Sequence, residues 1–179
     1  MANAQFVNCR IGTLSNSGVN ASVINCVIWG CSCDIETAYN SYVCIPTAYH
    51  GTINAYNCII RKTGYYDLSQ YSTARNCIGI NGALNSAMKE NCWYYANCSE
   101  VFDTFTGGNY DAYTEQLILK EEIASTCIGD DGAQVGIYGG YAPYNPRPSY
   151  MVIKRCNVAS QSTIDGKLSV DIEVVTGGE

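Results

Sequence analysis

Asn57-Cys58-Ile59-Ile60 decides the fold, because it is one copy of a step that recurs along the chain. Asn8-Cys9-Arg10-Ile11 and Asn25-Cys26-Val27-Ile28 repeat it closely, while Asn76-Cys77-Ile78-Gly79 and Asn91-Cys92-Trp93-Tyr94 repeat it more loosely. These asparagines, at 8, 25, 57, 76 and 91, lie 17, 32, 19 and 15 residues apart. If Cys44 marks a rung that has lost its Asn, the long gap from Cys26 to Cys58 divides into 18 and 14 residues. Such a period is too short for two-helix repeats and suits coils of short stacked strands, each coil being one structural unit. Abundant Tyr, Val, Ile, Thr and Asn, broken by Gly or Asn every few residues, agrees with strands.

Strand alternation puts each Cys and the residue two places later on one face, so Ile11, Ile28 and Ile60 should point inward with their cysteines. Gly79 fills that place poorly and Tyr94 fills it with a large ring, which predicts distortion in the later rungs. Asn suits a bend between short strands because it tolerates left-handed backbone angles. Stacked rung on rung, its amide can also donate and accept along the axis. The cysteines read as small buried residues with free thiols. Eleven is an odd number, so they cannot all pair within one chain, and CxxC spacing is absent.

Composition narrows the function classes. The 179 residues carry 15% charged side chains and a net charge of −6, with ten Lys and Arg in all. A scattered basic set argues against nucleic acid, whose phosphates demand clustered cations. No apolar run reaches membrane-spanning length, so no insertion is expected. Met1 leads through Ala2-Asn3-Ala4-Gln5 straight into the first copy, without a secretory leader or a solenoid cap. The expectation is therefore a piece of a longer protein, or an open coil end covered by an oligomer partner.

Between the steps, Glu36 to Tyr42, Thr63 to Tyr71 and Val101 to Tyr113 read as projecting loops. Thr114 to Ala124 reads as a strand and turn, with a short helix as the alternative. Gly129-Asp130-Asp131-Gly132 is a turn, and Val135 to Tyr138 a short strand before Gly139-Gly140. The expected organisation is β-helix coils and a closing turn over 1–140, a Pro-rich linker over 141–149, and a C-terminal hairpin segment over 150–179. That hairpin would pair Met151 to Ala159 with Lys167 to Val175 through an Asp165-Gly166 turn.

Together the Asn-Cys rungs resemble the right-handed parallel β-helix proteins of the pectate-lyase-like superfamily. Tyr110-Asp111, Leu117, Ala124-Ser125, Gly129-Asp130-Asp131-Gly132, Gly136 and Tyr138-Gly139-Gly140 are similar to the terminal coil of many bacterial members, without the Pro of that coil's short turn. Gly166-Lys167-Leu168-Ser169-Val170 is similar to the ends of secreted β-helix proteins of unknown function. The resemblance implies an all-β right-handed parallel β-helix (solenoid) with a small C-terminal β-hairpin appendage, located outside the cell or at its surface. It does not fix an activity, because the superfamily spans lyases, hydrolases, adhesins and phage tailspikes.

No catalytic residue can be assigned. Hydrolases need paired carboxylates, whereas Asp34, Glu36, Asp67, Glu90, Glu100 and Asp103 are far apart in sequence and lack a recurring placement. His50 has no Ser or Cys partner motif. Asp130 and Asp131 form the tightest acidic pair, and calcium is the one cofactor they could take; Asp in a Gly-flanked turn is also common for backbone reasons alone. Arg61-Lys62, directly after a strong rung, could clamp a uronate carboxylate, against the plainer reading of a solvated strand end. Asn20-Ala21-Ser22 and Asn97-Cys98-Ser99 match the glycosylation acceptor pattern, which is frequent in Asn-rich chains. The 15 tyrosines are the remaining surplus. Tyr65, Tyr66, Trp93 and Tyr95, with Arg61 and Lys62, are the candidate carbohydrate-binding residues, since aromatic faces stack on sugar rings; packing back onto the coil is the competing role. The leading expectation is a non-catalytic module that binds polysaccharide or a surface partner. The alternatives are part of a polysaccharide lyase or glycosidase whose active residues lie outside this chain, and a structural stalk or tailspike-like segment.

Overall fold

A computed structural model describes residues 2–15, 19–46, 51–105, 117–145, 150–158 and 170–177. The chain forms two compact units, Met1–Tyr144 and Asn145–Glu179. In the first, strands come in pairs: β1 (Ala2–Val7) and β2 (Arg10–Ile11), β3 (Val19–Ile24) and β4 (Val27–Ile28), β5 (Ile35–Tyr39) and β6 (Tyr42–Ile45). The later pairs are β7 (Ile53–Tyr56) and β8 (Ile59–Lys62), β9 (Thr73–Arg75) and β10 (Ile78–Ile80), β11 (Met88–Glu90) and β12 (Trp93–Tyr95). Odd strands stack in one six-stranded sheet and even strands in another, each in sequence order. Every neighbouring pair in both sheets is parallel. The unit is a parallel β-solenoid, its described residues lying in strands, turns and two short helices.

Each odd strand turns into its even partner at an asparagine. Asn8, Asn25, Asn40, Asn57, Asn76 and Asn91 all hold φ between 46° and 54°, a left-handed conformation that Asn adopts more readily than other residues with a Cβ. The third of these corrects the sequence expectation. The rung between Cys26 and Cys58 has kept its Asn, at position 40, and has Ser41 where the others have Cys. Cys44 marks no corner; it faces the opposite way, into the cluster outside the even-strand sheet.

The Ser41 exchange shows what the position demands. The backbone N–H after each of the first four bends donates to the side chain one rung on: Cys9 to Cys26 Sγ (3.4 Å), Cys26 to Ser41 Oγ (3.1 Å), Ser41 to Cys58 Sγ (3.4 Å) and Cys58 to Cys77 Sγ (3.4 Å). The same side chains donate to the carbonyl two residues back, as Cys58 Sγ does to Tyr56 (3.1 Å) and Ser41 Oγ to Tyr39 (2.8 Å). A left-handed corner turns its following N–H out of the strand ladder, and a buried N–H needs a partner. A small side chain that both accepts and donates supplies one, so Cys and Ser fit and Ala would not. The cysteines are thus more than apolar filler. All ten described cysteines are free thiols. Burial pushes the thiol of Cys31 up to about 12 and raises those of Cys26, Cys44 and Cys77.

The inward positions form one continuous core: Val23, Ile28, Val43, Ile45, Ile53 and Ile60 with the ladder cysteines. Gly79 stands where an isoleucine would, and a Cβ there would lie 2.7 Å from Leu84 Cγ. Leu84, folded in from the turn after β10, fills the space instead. Tyr94 remains 54% exposed, so the last rung leaves its large ring outside the core.

Beyond the coil, the chain covers the outside of the even-strand sheet. Val27, Tyr42, Ile59, Ile78 and Ile80 pack there against Val101, Phe102, Leu119, Ile123, Val135 and Ile137. The inner even strands β4, β6 and β10 are therefore buried on both faces and read as apolar runs, whereas β7 alternates buried and half-buried residues. Two short helices belong to this cover, α1 (Cys98–Val101) and α2 (Glu121–Thr126). Thus Lys120-Glu121-Glu122 opens a helix with acidic residues in its first turn, favoured by the backbone dipole, rather than a strand and turn. Val135 to Tyr138 is turn and not strand; its neighbour Gln134 makes a single bridge to Ile128. Glu36 to Tyr42 is coil wall rather than loop, because it contains most of β5 and the Asn40 corner.

The segment 129–140 lies directly on the asparagine corners. Asn57 Nδ2 donates to Asp130 Oδ1 (2.6 Å) and Asn40 Nδ2 to Asp131 Oδ2 (3.2 Å). Asn25 Nδ2 donates to the carbonyls of Ile137 (3.0 Å) and Gly139 (2.7 Å). Of these corner amides, Asn76 bonds along the axis, to Asn57 Oδ1 at 3.4 Å, so most of the expected axial bonding is replaced by bonding to the cover. The glycines follow from this contact. A Cβ on Gly129 would lie 2.7 Å from Asn57 Cγ, and one on Gly140 would collide with Asn40 Nδ2.

In the second unit β13 (Tyr150–Val158) pairs antiparallel with β14 (Val170–Gly177), with an irregularity between Ile153 and Arg155. The Asp165-Gly166 turn, and Pro146 to Pro148, lie outside the described residues.

Three outcomes follow from the ladder. Ser41→Ala, which strands the Cys26 N–H, should lose about 1–3 kcal/mol in urea denaturation, while Ser41→Cys should stay within about 1 kcal/mol of wild type. Asn57→Ala should cost about 2–4 kcal/mol, since it forces alanine into a left-handed corner and removes the Asp130 contact; Asn57→Gly, free of the backbone strain, should cost less. Among the ten described thiols, a thiol-specific reagent on the native protein should react first at half-buried Cys9 and Cys92, and at the rest only on unfolding, as peptide mapping would show.

Candidate glycan-binding site

The six residues picked out from the sequence fall in three places. Arg61 and Lys62 end β8 and line a cleft of about 410 Å³ with Asn81, Asn97, Ser99 and Phe105. Arg61 pairs in register with Cys44 and Ile80, both outward-facing, so parity sends its side chain to the cover side of the sheet. There its guanidinium sits 4.7 Å from the Phe105 ring centroid, over the face of the ring. The Tyr42 phenol beside it is fully buried, and burial drives its pKa well above the ordinary tyrosine range; it stays neutral and cannot act as a counter-charge. Neither Arg61 nor Lys62 forms an ion pair among the described residues, where Arg75 and Glu90 do at 3.6 Å. Asn81, itself at φ 58°, fixes this strand end by donating to the Lys62 carbonyl at 3.0 Å. The result is a half-buried cation, held by aromatic contact and facing a recess of polar side chains. Such a recess suits a carboxylate or sulfate, which would bring Arg61 a counter-charge and charge-assisted hydrogen bonds.

Tyr65 and Tyr66 lie in the loop after β8, edge to face at 5.6 Å. Tyr65 is 84% exposed, and Tyr66 lines a separate recess with Asp67 and Ser69. Trp93 and Tyr95 are half-buried against the cluster outside the even-strand sheet, and the Tyr95 hydroxyl lies 3.8 Å from Cys127 Sγ. Burial pushes the Tyr95 phenol up to about 12. These two rings serve the cover. Their parity carried the signal: counted from the Asn91 corner, they fall on the same face as Ile78 and Ile80.

The acidic groups do local structural work. Asp67 Oδ2 accepts from the Ser86 N–H (3.1 Å) and hydroxyl (3.0 Å), and Glu100 from Asn97 Nδ2 (3.1 Å). Asp130 and Asp131, the calcium candidates, accept from the asparagine corners, and Asp131 also from the Ala133 N–H at 2.9 Å. Among the described residues no three His, Cys, Asp or Glu side chains converge as a metal site, and no helix there is long and apolar enough to cross a membrane. His50, Tyr110 and Tyr113 lie outside the described residues.

Sequence reasoning missed Tyr39, Tyr56 and Tyr141. Tyr39 and Tyr56 are register partners on the open face of the odd-strand sheet, stacked at 4.9 Å and 21°. Equal offsets before Asn40 and Asn57 would have revealed that pair; nothing local marks Tyr141. No protein family, curated protein or solved structure matches this chain at a significant level. What defines the chain is its class, a parallel β-solenoid.

Proposed function

We propose that the chain is a non-catalytic solenoid module of the pectate-lyase-like kind, acting outside the cell or at its surface, that binds an acidic polysaccharide or surface glycan. The observation that carries this reading is Arg61: a half-buried guanidinium without a carboxylate partner among the described residues, opening with Lys62 onto a cleft. Protein carboxylates ordinarily neutralise such a group; here an incoming uronate or sulfated sugar would. Asp67, Glu90, Glu100, Asp130 and Asp131 support binding rather than turnover, since each is engaged in local hydrogen bonds or an ion pair.

Calorimetric titration with polygalacturonate, alginate and heparin-type oligosaccharides tests it. At least one should bind, with affinity falling as salt rises. Lys62→Ala should weaken it by about tenfold, near 1.4 kcal/mol. Release of unsaturated or reducing sugars by the isolated chain would replace this reading with an enzymatic one. Equal affinity in the Lys62→Ala and Arg61→Gln variants, both with native melting temperatures, would sink the assignment of the cleft.

A further inference from the structure

A second cavity, of about 330 Å³, lies where the cover segment meets the asparagine corners, and its chemistry is opposite to that of the Arg61 cleft. Ile24, Tyr39 and Tyr141 give it apolar and aromatic walls, while Asn25, Asp130 and Asp131 supply polar groups. The cover segment takes both N–H groups of Asn25 and one each of Asn40 and Asn57. Asn25 Nδ2 bonds the Ile137 and Gly139 carbonyls, Asn40 Nδ2 bonds Asp131, and Asn57 Nδ2 bonds Asp130.

Acceptors outnumber the donors at this groove, which holds two carboxylates and the Asn25 carbonyl oxygen. Asn25 is 1% exposed, and its Oδ1 is buried without a hydrogen-bond partner among the described residues. A buried carbonyl oxygen of this kind costs free energy until something donates to it. The two aspartates add acceptor capacity and negative charge, and neither forms an ion pair with a described cation. Tyr141 is 83% exposed and Tyr39 41%, so both rings are open to contact.

We propose that this groove is a subsite for an uncharged pyranose ring. Its carboxylates repel acidic sugars, and its acceptors call for a ligand rich in hydroxyl donors. The aromatic walls call for one with an apolar C–H face, and a neutral hexose meets both demands. The assignment is independent of the Arg61 cleft, whose ligand is anionic.

The test is calorimetric titration of the full chain with cellohexaose, mannohexaose and xylohexaose, with hexagalacturonate as competitor. At least one neutral hexasaccharide should bind with Kd below about 1 mM, and hexagalacturonate should not displace it. Tyr141→Ala, a change at an exposed side chain, should weaken binding at least about tenfold, and Tyr39→Ala should do the same. Tyr71→Ala, on a ring that is 72% exposed elsewhere, is the control and should bind as wild type. Failure of all three neutral probes to bind below that limit would overturn the proposal. So would unchanged affinity in Tyr141→Ala, or displacement by hexagalacturonate, whatever the Arg61 cleft does.

Discussion

The structure depends on a backbone conflict repeated at every rung. A tight bend between two short strands demands positive φ, and a residue with a Cβ resists that by roughly 1–2 kcal/mol. Asparagine meets the demand six times over, but the bend then directs the next N–H away from the strand ladder. The chain resolves this by borrowing a thiol or hydroxyl from the neighbouring rung. No rung is complete alone, and each inner rung both lends and borrows. Stability in such an arrangement resides largely in the interfaces between repeats.

The asparagine side chains create the second dependency. Held at the corners, Asn25, Asn40 and Asn57 present amides that the coil itself leaves unsatisfied, and the cover segment satisfies them with carbonyls and two carboxylates. That contact fixes where the backbone of 129–140 must approach, and glycine is required where an asparagine already fills the space. Together with Val101, Phe102, Leu119 and Ile123, that segment covers the outer face of the even-strand sheet. The inner strands of one sheet become core on both sides and the other sheet keeps an open face, which explains why apolar runs and alternating patterns coexist in one repeat.

Two places where cover and coil adjoin supply the chemistry from which function is inferred. Phe105 holds the Arg61 guanidinium by cation–π contact at one of them. At the other, the corner amides bond to the cover beside a groove that holds two carboxylates. The cation and the acceptors are each incompletely matched within the described protein, and that mismatch is a physical reason for a ligand. The two recesses carry opposite charge, Arg61 and Lys62 in one and Asp130 and Asp131 in the other.

By itself the sequence determined the repeat, its approximate period, the inward pairing of Ile28 and Ile60 with their cysteines, and the left-handed role of Asn, because these follow from local backbone geometry and strand parity. It misassigned the rung at Asn40, since Ser41 replaces Cys without altering the hydrogen-bond pattern that a reader of residue names does not see. It also could not separate tyrosines left exposed from tyrosines that pack. Trp93 and Tyr95 went to the cover, while Tyr39 and Tyr141 met across 102 positions of chain. Only the tertiary structure decided that, because which face of a strand stays open depends on what another segment, distant in sequence, comes to cover.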